Sequence, residues 1–120
     1  MKLVPNFEQI VNDSRGLWLS GLFSSIIGWN PGYDLPTYKE MFFITLKILL
    51  DKDIIRFCEP TDPLGHDIAH WKTDSNTIIR YLRECWPEGI SREDDENLNT
   101  YFYEVPAILW SDGTGNYLGS

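Results

Sequence analysis

Apolar and polar positions alternate along this chain with two different periods. From Leu17 to Ile27, Trp18, Leu22 and Ile26 recur every four residues, and Leu19, Phe23 and Ile27 lie on an adjoining face. A helix apolar over so wide an arc belongs at the centre of a fold. Gly28 supplies its stop, and Asn30-Pro31-Gly32 is turn chemistry. A shorter helix precedes it, from about Phe7 to Ser14, with Asn6 and Gln9 as its cap and Gly16 as the break between the two. The third helix has Pro36 in front and a capping box of Thr37 and Glu40. Tyr38, Met41, Phe42, Thr45, Leu46, Leu49 and Leu50 then keep helical spacing to about Asp51, with Lys39 and Lys47 on the wet side.

The period shortens next. Asp53-Ile54-Ile55-Arg56-Phe57-Cys58 is β-branched and aromatic and predicts a short strand. Residues 59–73 form a loop with two prolines and Gly65. A fourth helix runs from Asp74 to Trp86, with Thr73 or Asp74 as cap. Its inner stripe is Ile78, Leu82 and Cys85, flanked by Tyr81 and Trp86, and Pro87 ends it. Gly89–Asn99 is a polar loop. The tail predicts strands at Tyr101–Val105 and Ala107–Trp110, a turn at Ser111-Asp112-Gly113-Thr114 and a last short strand at Asn116-Tyr117-Leu118. The order of about four helices, with a short strand in the middle and a small C-terminal antiparallel sheet, is α+β.

Length adds that 120 residues make one domain, spanning 1–120. Apolar residues make up 42% and aromatic residues 14%, enough to build a core despite the charge. Cys58 and Cys85 are too few for a disulfide framework and sit in no metal-type pair, so both are expected reduced and half-buried. Glu8 and Asp13 fall where a signal peptide carries no acids. The uncharged stretch Gly16–Tyr33 holds three Ser, four Gly, an Asn and a Pro. That is too polar for the ~20 apolar residues of a spanning helix. The expectation is a soluble cytoplasmic protein.

Charge changes the picture more. Residues 1–58 carry six acids and six bases. Residues 59–120 carry twelve acids and four bases, which is the whole net charge of −8. An acidic half repels nucleic acid and attracts a basic protein. The densest acids are Glu93-Asp94-Asp95-Glu96, with Glu84 and Glu88 before them and Glu104 after. Tyr101 and Tyr103 lie beside them in sequence and would serve as aromatic anchors within an acidic rim. The candidate partner-binding residues are therefore Glu84, Glu88, Glu93, Asp94, Asp95, Glu96, Tyr101, Tyr103 and Glu104.

Catalytic signatures are weak. His66-Asp67-Ile68-Ala69-His70 has two His four apart, which on a helix would share a face and grip a metal. The acid between them is the shorter Asp, and Asp62-Pro63-Leu64-Gly65 before it favours a loop. Asp62 or Asp74 would have to supply a third ligand. A small metal-dependent hydrolase using His66 and His70 is thus the alternative reading, beside a non-catalytic adaptor. Gly113-Thr114-Gly115-Asn116-Tyr117-Leu118-Gly119 has the wrong spacing for a nucleotide loop and predicts a hairpin turn followed by a frayed terminus. No Ser sits in a nucleophile elbow, and no isolated carboxylate lies in an apolar setting. The residues point to no catalytic site, no metal and no cofactor.

Gly16-Leu17-Trp18-Leu19-Ser20-Gly21-Leu22-Phe23, the long helix Tyr38–Leu50 and the helix Ile78–Trp86 with Trp86-Pro87-Glu88 follow one another in a distinctive order. The tail adds Tyr101-Phe102-Tyr103-Glu104 and Ile108-Leu109-Trp110-Ser111-Asp112-Gly113. This pattern resembles a family of small acidic bacterial proteins of unknown function. That family includes immunity proteins of contact-dependent growth-inhibition systems. The resemblance covers nearly the whole chain, apart from the loop His66–His70. It implies an immunity protein that binds and blocks one cognate toxin domain without chemistry of its own. Such toxins are often nucleases, whose substrates demand basic clefts, and a basic cleft suits an acidic inhibitor.

Overall fold

A computed structural model describes residues 4–119. Its helices are α1 (Phe7–Ser14), α2 (Leu19–Trp29), α3 (Leu35–Asp51), α4 (Ser75–Cys85) and α5 (Glu96–Glu104). Its strands are β1 (Ile55–Phe57), β2 (Ile108–Ser111) and β3 (Tyr117–Leu118). They form one antiparallel sheet in the order β1-β2-β3. Ile55 faces Trp110 and Phe57 faces Ile108 across the first pairing, and Trp110 faces Leu118 across the second. The class is α+β. The strand from mid-sequence is part of the C-terminal sheet, because its inward residues Ile55 and Phe57 need the same core as Ile108 and Trp110.

The helix starts follow from short polar side chains that accept backbone N–H groups. Asp34 accepts from Thr37 at 3.0 Å, Asp74 from Thr77 at 2.7 Å and Asp95 from Asn97 at 2.8 Å. Pro36 lies inside the first turn of α3, where its missing N–H costs nothing. Asp34, not the Thr37–Glu40 box, is therefore the cap. Asn6 adopts a left-handed backbone (φ 62°) and caps nothing through its side chain. Its Nδ2 donates instead to the Trp29 carbonyl at 2.9 Å. Helix α2 runs one residue past Gly28, and Asn30 closes it. Buried Asn30 then donates to the Pro5 carbonyl at 2.9 Å, and its own carbonyl accepts from the Tyr38 hydroxyl at 2.7 Å. One side chain and its backbone thus join the start of α1, the end of α2 and the first turn of α3.

The largest departure from the sequence pattern is α5. Tyr101–Glu104 is helical, not extended, and Val105 is the extended residue that closes it. Leu98, Tyr101, Phe102 and Val105 are spaced by three, one and three residues and are all buried, so this period overrides the β preference of the aromatic run. Phe102 enters an aromatic cluster with Phe23, Phe42 and Trp86, and its ring centroid lies 5.3 Å from Phe23 and 5.6 Å from Phe42. Phe43 and Tyr101 close the cluster on Trp86, at 5.7 and 5.2 Å. Rings from α2, α3, α5 and the turn after α4 thus share one centre. Cys85, expected on the inner stripe of α4, is exposed, whereas Cys58 is fully buried; both are free thiols. No helix among the described residues is long and apolar enough to cross a membrane. Ser120, the last residue of the expected frayed terminus, lies outside the described residues.

Candidate partner-binding surface

The structure separates the nine acidic and aromatic candidates. Tyr101 is buried (4% exposed), and its hydroxyl donates to the Leu82 carbonyl at 2.7 Å. It is a core residue, not a surface anchor. Asp95 is occupied in capping α5. Asp94 pairs with Arg92 at 3.0 Å. Glu93 lies exposed in the turn before α5. Glu96 is exposed in the first helical turn, where its charge complements the helix dipole. Glu104 lines a cleft between α4 and α5 with Tyr81 and Cys85. Glu84 lies in the groove between α3 and α4, beside Phe43 and Arg80. Glu88 lines a third hollow with Lys39 and Trp86. The run Glu93–Glu96 stays together through the chain, while Glu84, Glu88 and Glu104 line three different depressions.

Tyr103 lines a further groove, apart from these three. It is 61% exposed, and its ring meets that of Trp18 edge to face at 5.0 Å. The position of Trp18 has a local cause. Trp110 Nε1 donates to the Leu17 carbonyl at 2.9 Å and pins this extended segment against β2. Trp18, at the N-cap of α2 with φ −72° and ψ 171°, is extended and 40% exposed, off the central helix face it was expected to occupy. Together Trp18 and Tyr103 form one lip of a groove of about 300 Å³. Leu64 stands on its wall at 62% exposure, and Cys58, Phe102 and Ile108 contribute buried surface. Burial and the nearby Asp62 push the Cys58 thiol above its ordinary pKa, so it is a packing group here.

The groove wall is a built loop. The Asp62 carboxylate accepts backbone N–H groups of His66, Asp67 and Ile68 at 3.1, 2.8 and 2.7 Å. Those bonds, Ile68 first, hold its carboxyl below the usual range. Gly65 makes the turn at φ +71°, and a Cβ there would stand 3.2 Å from Cys58 Sγ. The same loop contains His66 and His70. It forms no helix, so the shared face needed for a metal pair is absent. Asp62 is committed to the loop and Asp74 to the cap of α4, and the described residues contain no group of three or more His, Cys, Asp or Glu able to hold a metal. The glycine-rich tail forms the β2–β3 turn, in which Asp112 Oδ1 accepts the Thr114 N–H at 2.8 Å.

Sequence reading missed Trp18, Leu64 and the groove. Trp18 fits the helical period, so nothing in the pattern marks it as exposed. Its available signal was Gly16 two residues earlier, which delays the start of α2. Comparisons of the chain with protein-family models, with curated proteins and with solved structures found no match.

Proposed function

We propose that this chain is a cytoplasmic immunity protein that neutralises a cognate, basic toxin domain by stoichiometric binding. The observation that carries the reading is the Trp18–Tyr103 pair, held partly exposed at the lip of a preformed groove. Rigid aromatics at a groove are strong anchors in protein interfaces, since they bring large area at little cost in rotamer entropy. Two acids are chain neighbours of groove residues: Glu59 follows Cys58, and Asp67 lies between Gly65 and Ala69. The run Glu93–Glu96 leads into the helix that carries Tyr103. A basic partner would be steered by these charges and held by the aromatics. The resemblance to immunity proteins supplies the kind of partner, and the net charge of −8 supplies its sign.

The test is calorimetry with the basic toxin domain encoded beside this gene. Nanomolar one-to-one binding that weakens with salt supports the reading. Absence of binding at low salt would sink it. Changing Trp18 and Tyr103 to Ala should accelerate dissociation, whereas neutralising Glu93, Asp94 and Glu96 should slow association.

A further inference from the structure

We infer that the hollow at the open edge of β1 is a binding site for a phosphate group, free or carried on a small molecule. The hollow measures about 400 Å³ and shares no lining residue with the Trp18–Tyr103 groove. Arg56, His70 and Lys72 converge on it from β1 and from the loop before α4. The ion pairs among the described residues are Lys47–Asp51, Arg83–Glu40 and Arg92–Asp94, and none involves these three. Three basic groups brought together in no ion pair, in a chain of net charge −8, form a local exception to its electrostatics. The His70 pKa responds to that arrangement. Burial lowers it first, and the positive charges of Arg56 and Lys72 lower it further.

The backbone adds donors. In the β1–β2 ladder the Cys58 N–H donates to the Ala107 carbonyl and the Ser111 N–H to the Ile54 carbonyl, both at 2.9 Å. Even-numbered residues here therefore direct their backbone groups at β2, and the parity of an antiparallel pair turns those of Ile55 and Phe57 outward. The Phe57 carbonyl confirms the direction, since it accepts the Trp71 N–H at 2.7 Å. The outward N–H groups of Ile55 and Phe57 remain on the side of the hollow, which both residues line. The Arg56 side chain is held on an aromatic ring at the border of the hollow. Its guanidinium sits 4.0 Å from the centroid of Tyr117, whose hydroxyl donates to the Asp53 carbonyl at 2.6 Å. A fixed guanidinium, an ammonium and backbone N–H groups are the usual donor set for phosphate. The opposing charge is Asp53, which lines the hollow. Asp51 is neutralised by Lys47 at 2.7 Å and Asp74 is engaged with Thr77.

The experiment is a low-salt NMR titration of the full chain with inorganic phosphate and, separately, with phenyl phosphate. The expected result is saturable shifts confined to residues 53–57 and 70–75 in the millimolar range, with the His70 pKa rising as the anion binds. Tighter binding of phenyl phosphate assigns an ester whose organic part lies on Trp71, and equal affinities assign the free anion. Arg56→Gln and Lys72→Gln should each weaken binding about tenfold, the loss of one charge-assisted hydrogen bond. Asp53→Asn should tighten it, and Asn tolerates the left-handed backbone (φ 57°) at that position. Shifts centred elsewhere, no saturation, or affinities indifferent to all three substitutions would overturn the assignment. Toxin binding is read separately, so failure here leaves the immunity reading intact.

Discussion

Trp18 and Tyr103, from the start of α2 and the last turn of α5, meet edge to face at 5.0 Å while remaining 40% and 61% exposed. The contact closes the lip of the groove without burying either ring. Such a pair contributes about 0.5–1.5 kcal/mol beyond its buried area. A double-mutant cycle on Trp18→Ala and Tyr103→Ala, read by urea unfolding, should give a coupling energy of that size. Additive single-mutant losses would mean that the rings do not interact in solution.

Tyr101, two residues away, behaves oppositely. Its hydroxyl satisfies the Leu82 carbonyl in the last turn of α4, where helical partners run out. Tyr101→Phe should therefore cost about 1–3 kcal/mol of stability, the penalty for an unpaired buried acceptor. Toxin binding should be unchanged. Burial pushes the Tyr101 phenol far above its ordinary pKa. The folded state then holds its proton more tightly than the unfolded chain, so its contribution to stability falls once pH rises past the ordinary phenol value. The alkaline limb of a pH–stability curve should flatten in Tyr101→Phe. An unchanged alkaline slope would show that another group controls it.

On the acid side, Arg83 grips Glu40 with two bonds of 2.8 Å and lies 4.6 Å from the centroid of Phe43. The hydrogen bond to Arg83 lowers the Glu40 pKa. A lowered carboxyl pKa contributes stability above the ordinary carboxylate range and loses it as pH falls through the lowered value. The side chains are 38% and 54% exposed, so solvent screening keeps the pair to about 1 kcal/mol or less. Glu40→Gln should reduce stability at neutral pH and match the parent chain in strong acid. A constant difference across the acid range would place the effect in packing.

The loop on the groove wall depends on Asp62 and Gly65. Gly65→Ala forces a side chain into φ +71° and brings a Cβ to 3.2 Å from Cys58 Sγ. The left-handed backbone alone costs about 1–2 kcal/mol. Asp62→Ala removes the acceptor for three N–H groups, and amide exchange at residues 66–68 should accelerate while the rest of the chain stays protected. Uniform acceleration would mean that the loop is part of the global folding unit.

Much of the helical framework was legible because its signals are local. Asp74 announces α4, and the Tyr38–Leu50 period announces α3. Helix α5 is hard to read because Tyr101-Phe102-Tyr103 favours strands by composition, while the helical signal lies in the spacing of Leu98, Tyr101, Phe102 and Val105 behind the Asp95 cap. Pairing of β1 with β2 joins distant segments, and no local signal encodes it. The same limit applies to the site. The acids were visible as a charge run, but which depression each lines depends on the helix face it occupies. The groove needs α2, α5 and the 59–70 loop to meet, a relation carried by contacts such as Trp110 with the Leu17 carbonyl.

The proposed function places the anchor for a basic toxin domain at the aromatic lip of the groove. The most direct measurement is the dissociation rate of that domain from the parent chain and from Trp18→Ala/Tyr103→Ala, after both proteins have been shown to be folded by circular dichroism. Loss of two interface anchors should raise the rate by at least about tenfold with little change in association. A dissociation rate equal to that of the parent chain would contradict the account and remove this groove from the interface.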